Sequence, residues 1–506
     1  MNQTINTNRS FLMKKFATLT LLASCLSVPL AQAQYAQGQV EIRRSYSVGQ
    51  NVPDRGQYVS TIQIAQAALA EIKDVNIAMS LSGAPSMRLG QMFSTVTVGT
   101  ASEGSRTAVL LNREGVSNTS AFGSNLGGIY VNFDDAAAVN VFNINSSTGT
   151  YQPDGRIGVN PFGARVAYSS SQITAPLSAL NGTWNSTWSV LVADAQAGNQ
   201  ARFDSFSLAI QGTAASVGTI DLGAGGSVTA LGNSADTIGA TILSSATGAN
   251  AARLTATTGQ TLDLTGGISG NGDFNKTGSG VLNVGNSTGF AGKLNLQGGK
   301  TVVNQNVSSS VVVGNGATLT GSGTVAALEV ASGGSFAPGQ KIGQFNVAGN
   351  AIWNGGGRYD LEVRDFLGGA GSGWDFFNVT GNLDIRATST SKFIIDIVSL
   401  LRDLTPGNAD NFWAKWDNSI NIATAAGGVT GFDASAFDFD LSGFSNSRDY
   451  AAWQTHSNYA PGKFSVGLSQ DGKSVLLNYA RAIPEPSSAS LVMVGLGILA
   501  LRRRKS

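Results

Sequence analysis

Residues 270–284 read Gly-Asn-Gly-Asp-Phe-Asn-Lys-Thr-Gly-Ser-Gly-Val-Leu-Asn-Val. They alternate glycine-rich turns with short apolar strands. Short apolar alternations such as Gly280–Val284 sit between glycines and asparagines, and in a strand such alternation sends successive side chains to opposite faces. Gly and Asn accept the positive φ that tight turns require. Gly270-Asn271-Gly272 and Gly278-Ser279-Gly280 superficially look like phosphate-binding glycines, but no strand-to-helix context surrounds them, so they read as turns.

The same pattern recurs on both sides, at Thr261–Leu264, Lys293–Leu296, Thr301–Val303, Ala317–Leu319, Leu328–Val330, Phe345–Val347 and Leu383–Ile385. The spacing drifts between roughly ten and twenty residues, as in a stacked repeat whose rungs differ in loop length. Inward Val, Leu and Ile would then stack from rung to rung. A parallel β-helix is expected over 217–385. Residues 387–481 are expected to form a β-rich cap, because a solenoid end needs cover against edge pairing. Within it, Phe464–Leu468 and Ser474–Tyr479 flank the hairpin turn Asp471-Gly472.

Residues 270–284, followed by Gly289-Phe290-Ala291-Gly292, resemble the autotransporter-associated β-strand repeat. So does Gly321-Ser322-Gly323-Thr324-Val325, with Gly333–Gly339 behind it. The resemblance covers about 130 residues and implies architecture while saying little about activity. An autotransporter would end in a membrane barrel of alternating ~10-residue strands, which the C-terminal sequence does not suggest.

Upstream, residues 36–212 show alternating segments at Tyr58–Ile64, Val75–Leu81, Thr107–Leu111, Gly128–Phe133, Trp188–Val192 and Ser205–Ile210, with one helix suggested near Ile64–Lys73. Several antiparallel strands with long loops favour a β-sandwich or jelly roll. Val52–Gly56, Ile72–Ile77, Thr107–Arg113, Phe133–Ala136, Gly149–Pro153, Leu180–Trp184 and Asp204–Leu208 resemble the P/Homo B domain that follows the protease in subtilisin-like convertases. That resemblance implies a folding or binding module, not a peptidase. The fold class expected is all-β: a sandwich, then a parallel β-helix, between a signal peptide and a short transmembrane sorting tail.

The two ends carry addresses. Arg9, Lys14 and Lys15 precede the apolar run Phe16–Leu30 and the site Ala31-Gln32-Ala33. This is the order of a Sec signal peptide, residues 1–33, with cleavage expected after Ala33. Leu22-Ala23-Ser24-Cys25 also resembles a lipoprotein box, which would make Cys25 a lipidated terminus. At the other end, Pro484-Glu485-Pro486 is followed by the apolar run Ala489–Leu501 and the basic cluster Arg502-Arg503-Arg504-Lys505. The run is short of the ~20 residues of a permanent span, and the cluster would stay cytoplasmic. Residues 484–506 resemble the PEP-CTERM sorting signal of Gram-negative bacteria. That resemblance implies transient inner-membrane anchoring, removal of the tail by an exosortase, and release to the cell surface or outside, often beside exopolysaccharide.

Composition narrows the chemistry. Charged residues are 12% of the 506, against roughly a quarter in average soluble proteins, and Gly numbers 64. The net charge of +1 offers no electrostatic case for nucleic acid. The one Cys and the one His, Cys25 and His456, leave no disulfide, no multi-His zinc site and no Ser-His-Asp triad over most of the chain. No cofactor, metal site or catalytic residue is expected. The acids to weigh are Asp360, Glu362 and Asp365, beside Arg358 and Arg364, since polysaccharide cleavage needs converging carboxylates; a solvated strand face looks the same. Asp134-Asp135 has ligands suited to Ca²⁺ but no loop of matching spacing. Trp184, Trp188, Trp353, Trp374, Trp413, Trp416 and Trp453 offer rings that stack on sugars, Trp413 and Trp416 as a platform, with core packing the plainer role. The expectation is a non-enzymatic structural or adhesion protein of the envelope or extracellular matrix. The alternatives are a β-helix lyase or hydrolase, and an adhesin acting through its N-terminal domain.

Overall fold

A computed structural model describes residues 39–481, apart from 63–68, 85–86, 101–103, 118–119, 121, 157–169, 183–186, 233–234 and 449–460. Among the described residues the chain is all-β, with short 3₁₀ turns and no helix long and apolar enough to cross a membrane. The expected cleavage site Ala31/Ala33, together with Cys25, Trp184, Trp453, His456 and the whole tail, lies outside the described residues.

Among the described residues nine strands build the N-terminal part: β1 (Gln39–Asn51), β2 (Gln57–Ile62), β3 (Leu69–Ala84), β4 (Met92–Thr100), β5 (Gly104–Asn112), β6 (Ile129–Phe133), β7 (Thr148–Tyr151), β8 (Trp188–Asp194) and β9 (Gln200–Ala214). They form two sheets, β1-β9-β3-β6-β7 and β2-β8-β4-β5, antiparallel except at β6/β7. Apolar side chains from both sheets share one core; Tyr58 of β2, for instance, meets Phe203 of β9 edge-on at 6.5 Å. The helix suggested near Ile64–Lys73 is corrected over residues 69–73, which belong to β3 and pair with β9, while residues 64–68 lie outside the described residues. Ala-Leu-Ala-Glu suits a helix locally, but pairing with β9 and the bridge from Ile72 to Gly182 override so weak a preference.

From residue 219 onward the pairing turns parallel. One face stacks the strands Ser227–Ala230, Ala252–Thr255, Phe274–Thr277, Lys293–Leu296, Asn306–Val313 and Thr324–Val330 in order, and continues to 428–430. A second runs from Ala235–Ile238 through Val281–Val284 and Arg358–Val363 to Phe437–Asp440. A third, of three short strands, covers only the first rungs. Parallel strands stacked rung on rung fit a parallel β-helix. The decisive stretch supplies one rung, with Phe274 on Ala252 and Leu294, and Leu282 on Thr301. Its turn glycines are needed there. Gly278 has φ +77°, and a Cβ on Gly280 would come 2.2 Å from the Thr257 carbonyl oxygen of the rung below.

The parallel ladder continues past residue 385. Strands 393–399, 418–425, 428–430 and 437–440 add rungs within 387–481 before the antiparallel hairpin Lys463–Leu468/Ser474–Ala480 closes the ladder against 418–425. The spacing hides this, because rungs lengthen along the chain: Val311 stacks on Leu328, 17 residues on, but Phe377 on Ala423, 46 residues on. The extra length lies in corner loops, which bury an aromatic cluster of their own. There Phe412 lies 5.0 Å from Phe366, 5.1 Å from Phe444 and 4.8 Å from Tyr479. At the opposite end Val40–Arg43 of β1 pair on one edge with β9 and on the other with Ser227–Ala230. The sandwich sheet thus runs into the first rung and covers the edge that a solenoid must hide.

Candidate functional site

The strand Arg358–Val363 alternates strictly, with Tyr359, Leu361 and Val363 buried and Arg358, Asp360 and Glu362 half-buried on the outer face. Parallel register stacks Asp360 on Asp396, and Asp396 on Asp440. Three carboxylates at the inter-strand spacing would repel. One guanidinium answers all three: Arg358 donates through Nε to Asp360 Oδ1 at 2.6 Å, through Nη1 to Asp440 Oδ2 at 3.3 Å, and through Nη2 to Asp396 Oδ2.

Beside this ladder lies a groove of about 330 Å³, lined among others by Lys300, Thr320, Gln340, Asp360, Glu362 and Asp396. Asp396 is 7% exposed, and its Oδ1 has no hydrogen-bond partner. Desolvation raises the Asp360 carboxyl above the usual range while Arg358 opposes it; desolvation likewise raises Glu362, opposed by Lys341 and Lys300. Asp440, which accepts from the Ser442 backbone N–H at 3.0 Å, is lowered by that bond. Asp365 and Arg364, the remaining candidates, do not join the groove lining. Asp365 accepts from Asn411 Nδ2 at 2.7 Å and from the Leu367 N–H, and Arg364 donates to the Ser372 carbonyl at 2.7 Å. They hold a corner loop.

In the sandwich, Asp134 accepts from the Ala136 N–H at 2.8 Å, and Asp135 from the N–H groups of Leu177 and Ser178. These are turn and cap bonds. Among the described residues no group of three His, Cys, Asp or Glu is placed to hold a metal. Trp188, Trp353 and Trp374 are buried, whereas Trp413 and Trp416 are each 57% exposed.

Three buried features escaped the sequence reading. Asp375, fully buried, accepts from the backbone N–H groups of Gly343 and Glu362 at 2.9 Å and holds the corner behind the groove; burial raises its carboxyl well above the usual range. In the sandwich, Arg156 forks onto Asp154 at 2.8 and 2.7 Å, and Glu114, also fully buried, accepts from the Asn112 N–H at 2.7 Å. Desolvation and the Asp154 charge push Glu114 well up. Lys276 is the third, an inward residue in an otherwise apolar column from Leu254 to Leu296 and Val313. Only the inward phase of Phe274-Asn275-Lys276-Thr277 could have signalled it.

Arg481 is the last described residue, and the segment behind it carries an address. A PEP-CTERM protein-sorting motif matches residues 482–505. The match takes in Pro484, Glu485 and Pro486 and the cluster Arg502, Arg503, Arg504 and Lys505, and it implies an exported, membrane-transiting protein that is sorted by an exosortase and processed. The chain is also 41% identical over 99 residues to an extracellular serine protease of Serratia marcescens. That similarity covers 19% of this chain and 9% of the protease, so the chain spans about a tenth of the length of this relative.

Proposed function

We propose that the chain is a non-enzymatic structural or adhesion protein of the cell surface or extracellular matrix. It enters the export route through the signal peptide 1–33 and the Sec machinery, is held briefly in the inner membrane by its tail, is cut by an exosortase, and associates with exopolysaccharide. The sorting motif at 482–505, directly behind a long all-β body, carries the reading. A body of stacked, low-charge strands presents a long Thr-, Asn- and Ser-bearing surface suited to many weak polar contacts. The groove supports the non-enzymatic reading too, since Arg358 already engages Asp360, Asp396 and Asp440. The N-terminal part, as a P/Homo B-like module, would serve folding or ligand binding.

A second reading, a polysaccharide-active enzyme, draws on Glu362 and the unpartnered Asp396 Oδ1 at the same groove. Incubating the secreted protein with the host's own exopolysaccharide separates the two. Retention on the polymer without shortening it supports the structural reading, and new reducing ends or unsaturated ends, lost in Asp396→Asn, would replace it with the enzymatic one.

A further inference from the structure

The turn Trp413–Asp417 places two large indoles at the surface, each 57% exposed. The Lys415 ammonium lies 5.9 Å from both ring centres. The turn is not loosely hung. Trp416 N–H closes it on the Trp413 carbonyl at 3.0 Å, and Tyr479 Oη donates to the Ala414 carbonyl at 3.3 Å. Arg481 N–H donates to Asp417 Oδ1 at 2.9 Å, and Arg481 Nη1 reaches the Lys415 carbonyl at 3.5 Å. The exposed aromatic pair is therefore fastened to the residue at which the folded body hands over to the sorting motif of 482–505. Leu367 and Leu401, 78% and 42% exposed, belong to neighbouring corner loops.

We infer that this turn is a membrane-interface contact, which seats the folded body on the phospholipid surface while the tail is still attached. The inference rests on the proposed transient anchoring of the tail. Seven residues separate Arg481 from the apolar run that starts at Ala489. Fully extended they span about 25 Å, so an anchored tail keeps the turn within reach of the headgroups at high local concentration. Trp favours that layer because its ring is apolar and its N–H polar. The acids nearby are engaged: Asp410 pairs with Arg402 at 2.5 Å, Asp365 with Asn411, and Asp417 with the Arg481 N–H. Lys415, Arg402 and Arg481 match these three acids in number, so no net charge carries the contact; the rings carry it, and it resists salt. Two rings bind weakly by themselves, so cutting the tail frees the body.

The test uses the full chain reconstituted into phosphatidylcholine–phosphatidylglycerol vesicles, with acyl-brominated phosphatidylcholine as the quencher of tryptophan fluorescence. Quenching of the wild-type chain, unchanged by 0.5 M salt and largely lost in Trp413→Phe/Trp416→Phe, is expected. The tail contains no Trp, Trp188, Trp353 and Trp374 are buried, and Trp184 and Trp453, outside the described residues, are replaced by Phe in both proteins compared, so the loss assigns the contact to this turn. An unshifted thermal melt of the double variant shows that it folds. A chain that floats with the vesicles but is not quenched, or quenching that survives the double substitution, overturns the inference and leaves the anchored tail standing. A chain that does not float removes the anchoring and the inference together. A Trp emission shift on adding soluble exopolysaccharide without vesicles, lost in the double variant, would assign the turn to sugar instead.

Discussion

Replacing Lys276 by Met probes the rung built by residues 270–284. The Lys276 ammonium is fully buried and donates to the carbonyls of Gly278 at 2.6 Å, Gly280 at 2.8 Å and Gly298 at 2.8 Å. Two of these oxygens sit on its own turn and one on the next rung, so a single cation staples a glycine corner across rungs. Each charge-assisted bond contributes about 1.5–3 kcal/mol. Against them stands desolvation, which lowers the Lys276 pKa from 10.5 to about 8; at about 1.4 kcal/mol per pH unit this is about 3.5 kcal/mol of opposition. The ammonium still carries its proton at pH 7, with three donors for three acceptors. Met fits the aliphatic column but leaves the corner carbonyls without it, so Lys276→Met should destabilise these rungs by about 2–4 kcal/mol.

Because a stacked ladder opens locally, the assay is hydrogen exchange by mass spectrometry on peptides spanning 274–303, with peptides of the sandwich as internal controls. Exchange should accelerate strongly in 274–303 and hardly in β3 or β9. The sign of the pH dependence comes from the lowered pKa. Between about 8 and 10.5 the unfolded chain holds a proton that the folded chain has lost, so stability relative to Lys276→Met rises with pH across that window, by at most about 3.5 kcal/mol. Equal protection in the two proteins at pH 7 would refute the stapling role, and a difference that shrinks from pH 8 to 10 would refute the lowered pKa of Lys276.

Other expectations rest on the same geometry. Glu114→Gln should change the melting temperature of the sandwich little, because its carboxyl is already held toward the neutral form, whereas Arg156→Met strands Asp154 and should cost about 3–5 kcal/mol in urea unfolding. Arg358→Ala leaves three stacked aspartates without their cation, so thermal stability should fall at pH 7 and recover as pH drops and the carboxylates protonate. Gly280→Ala, with its Cβ 2.2 Å from the Thr257 carbonyl oxygen, should lower soluble yield and loosen exchange in 256–284.

The strands were legible where alternation is clean. Thr261–Leu264 and Lys293–Leu296 fall on the strands expected, because period 2 comes from the pleat alone. The later rungs were harder to see, since the aromatic corner around Phe412 lengthens them and breaks the spacing. The acidic ladder was half legible. Asp360 and Glu362 stood out, but Asp396 and Asp440 became neighbours only through parallel register across 36 and 44 residues. The exposure of Trp413 and Trp416 and the burial of Trp188, Trp353 and Trp374 were beyond composition, because ring burial is decided by partners distant in sequence.

Export of this body and its release from the tail are tested by the intact mass of the chain recovered outside the cytoplasm, in cells with and without their exosortase. A mass lacking the leader and the residues of the sorting motif in the first, and a membrane-bound chain that keeps 482–506 in the second, is the result expected. A released chain that retains residues 482–506, or the same mass and location in both strains, would contradict it.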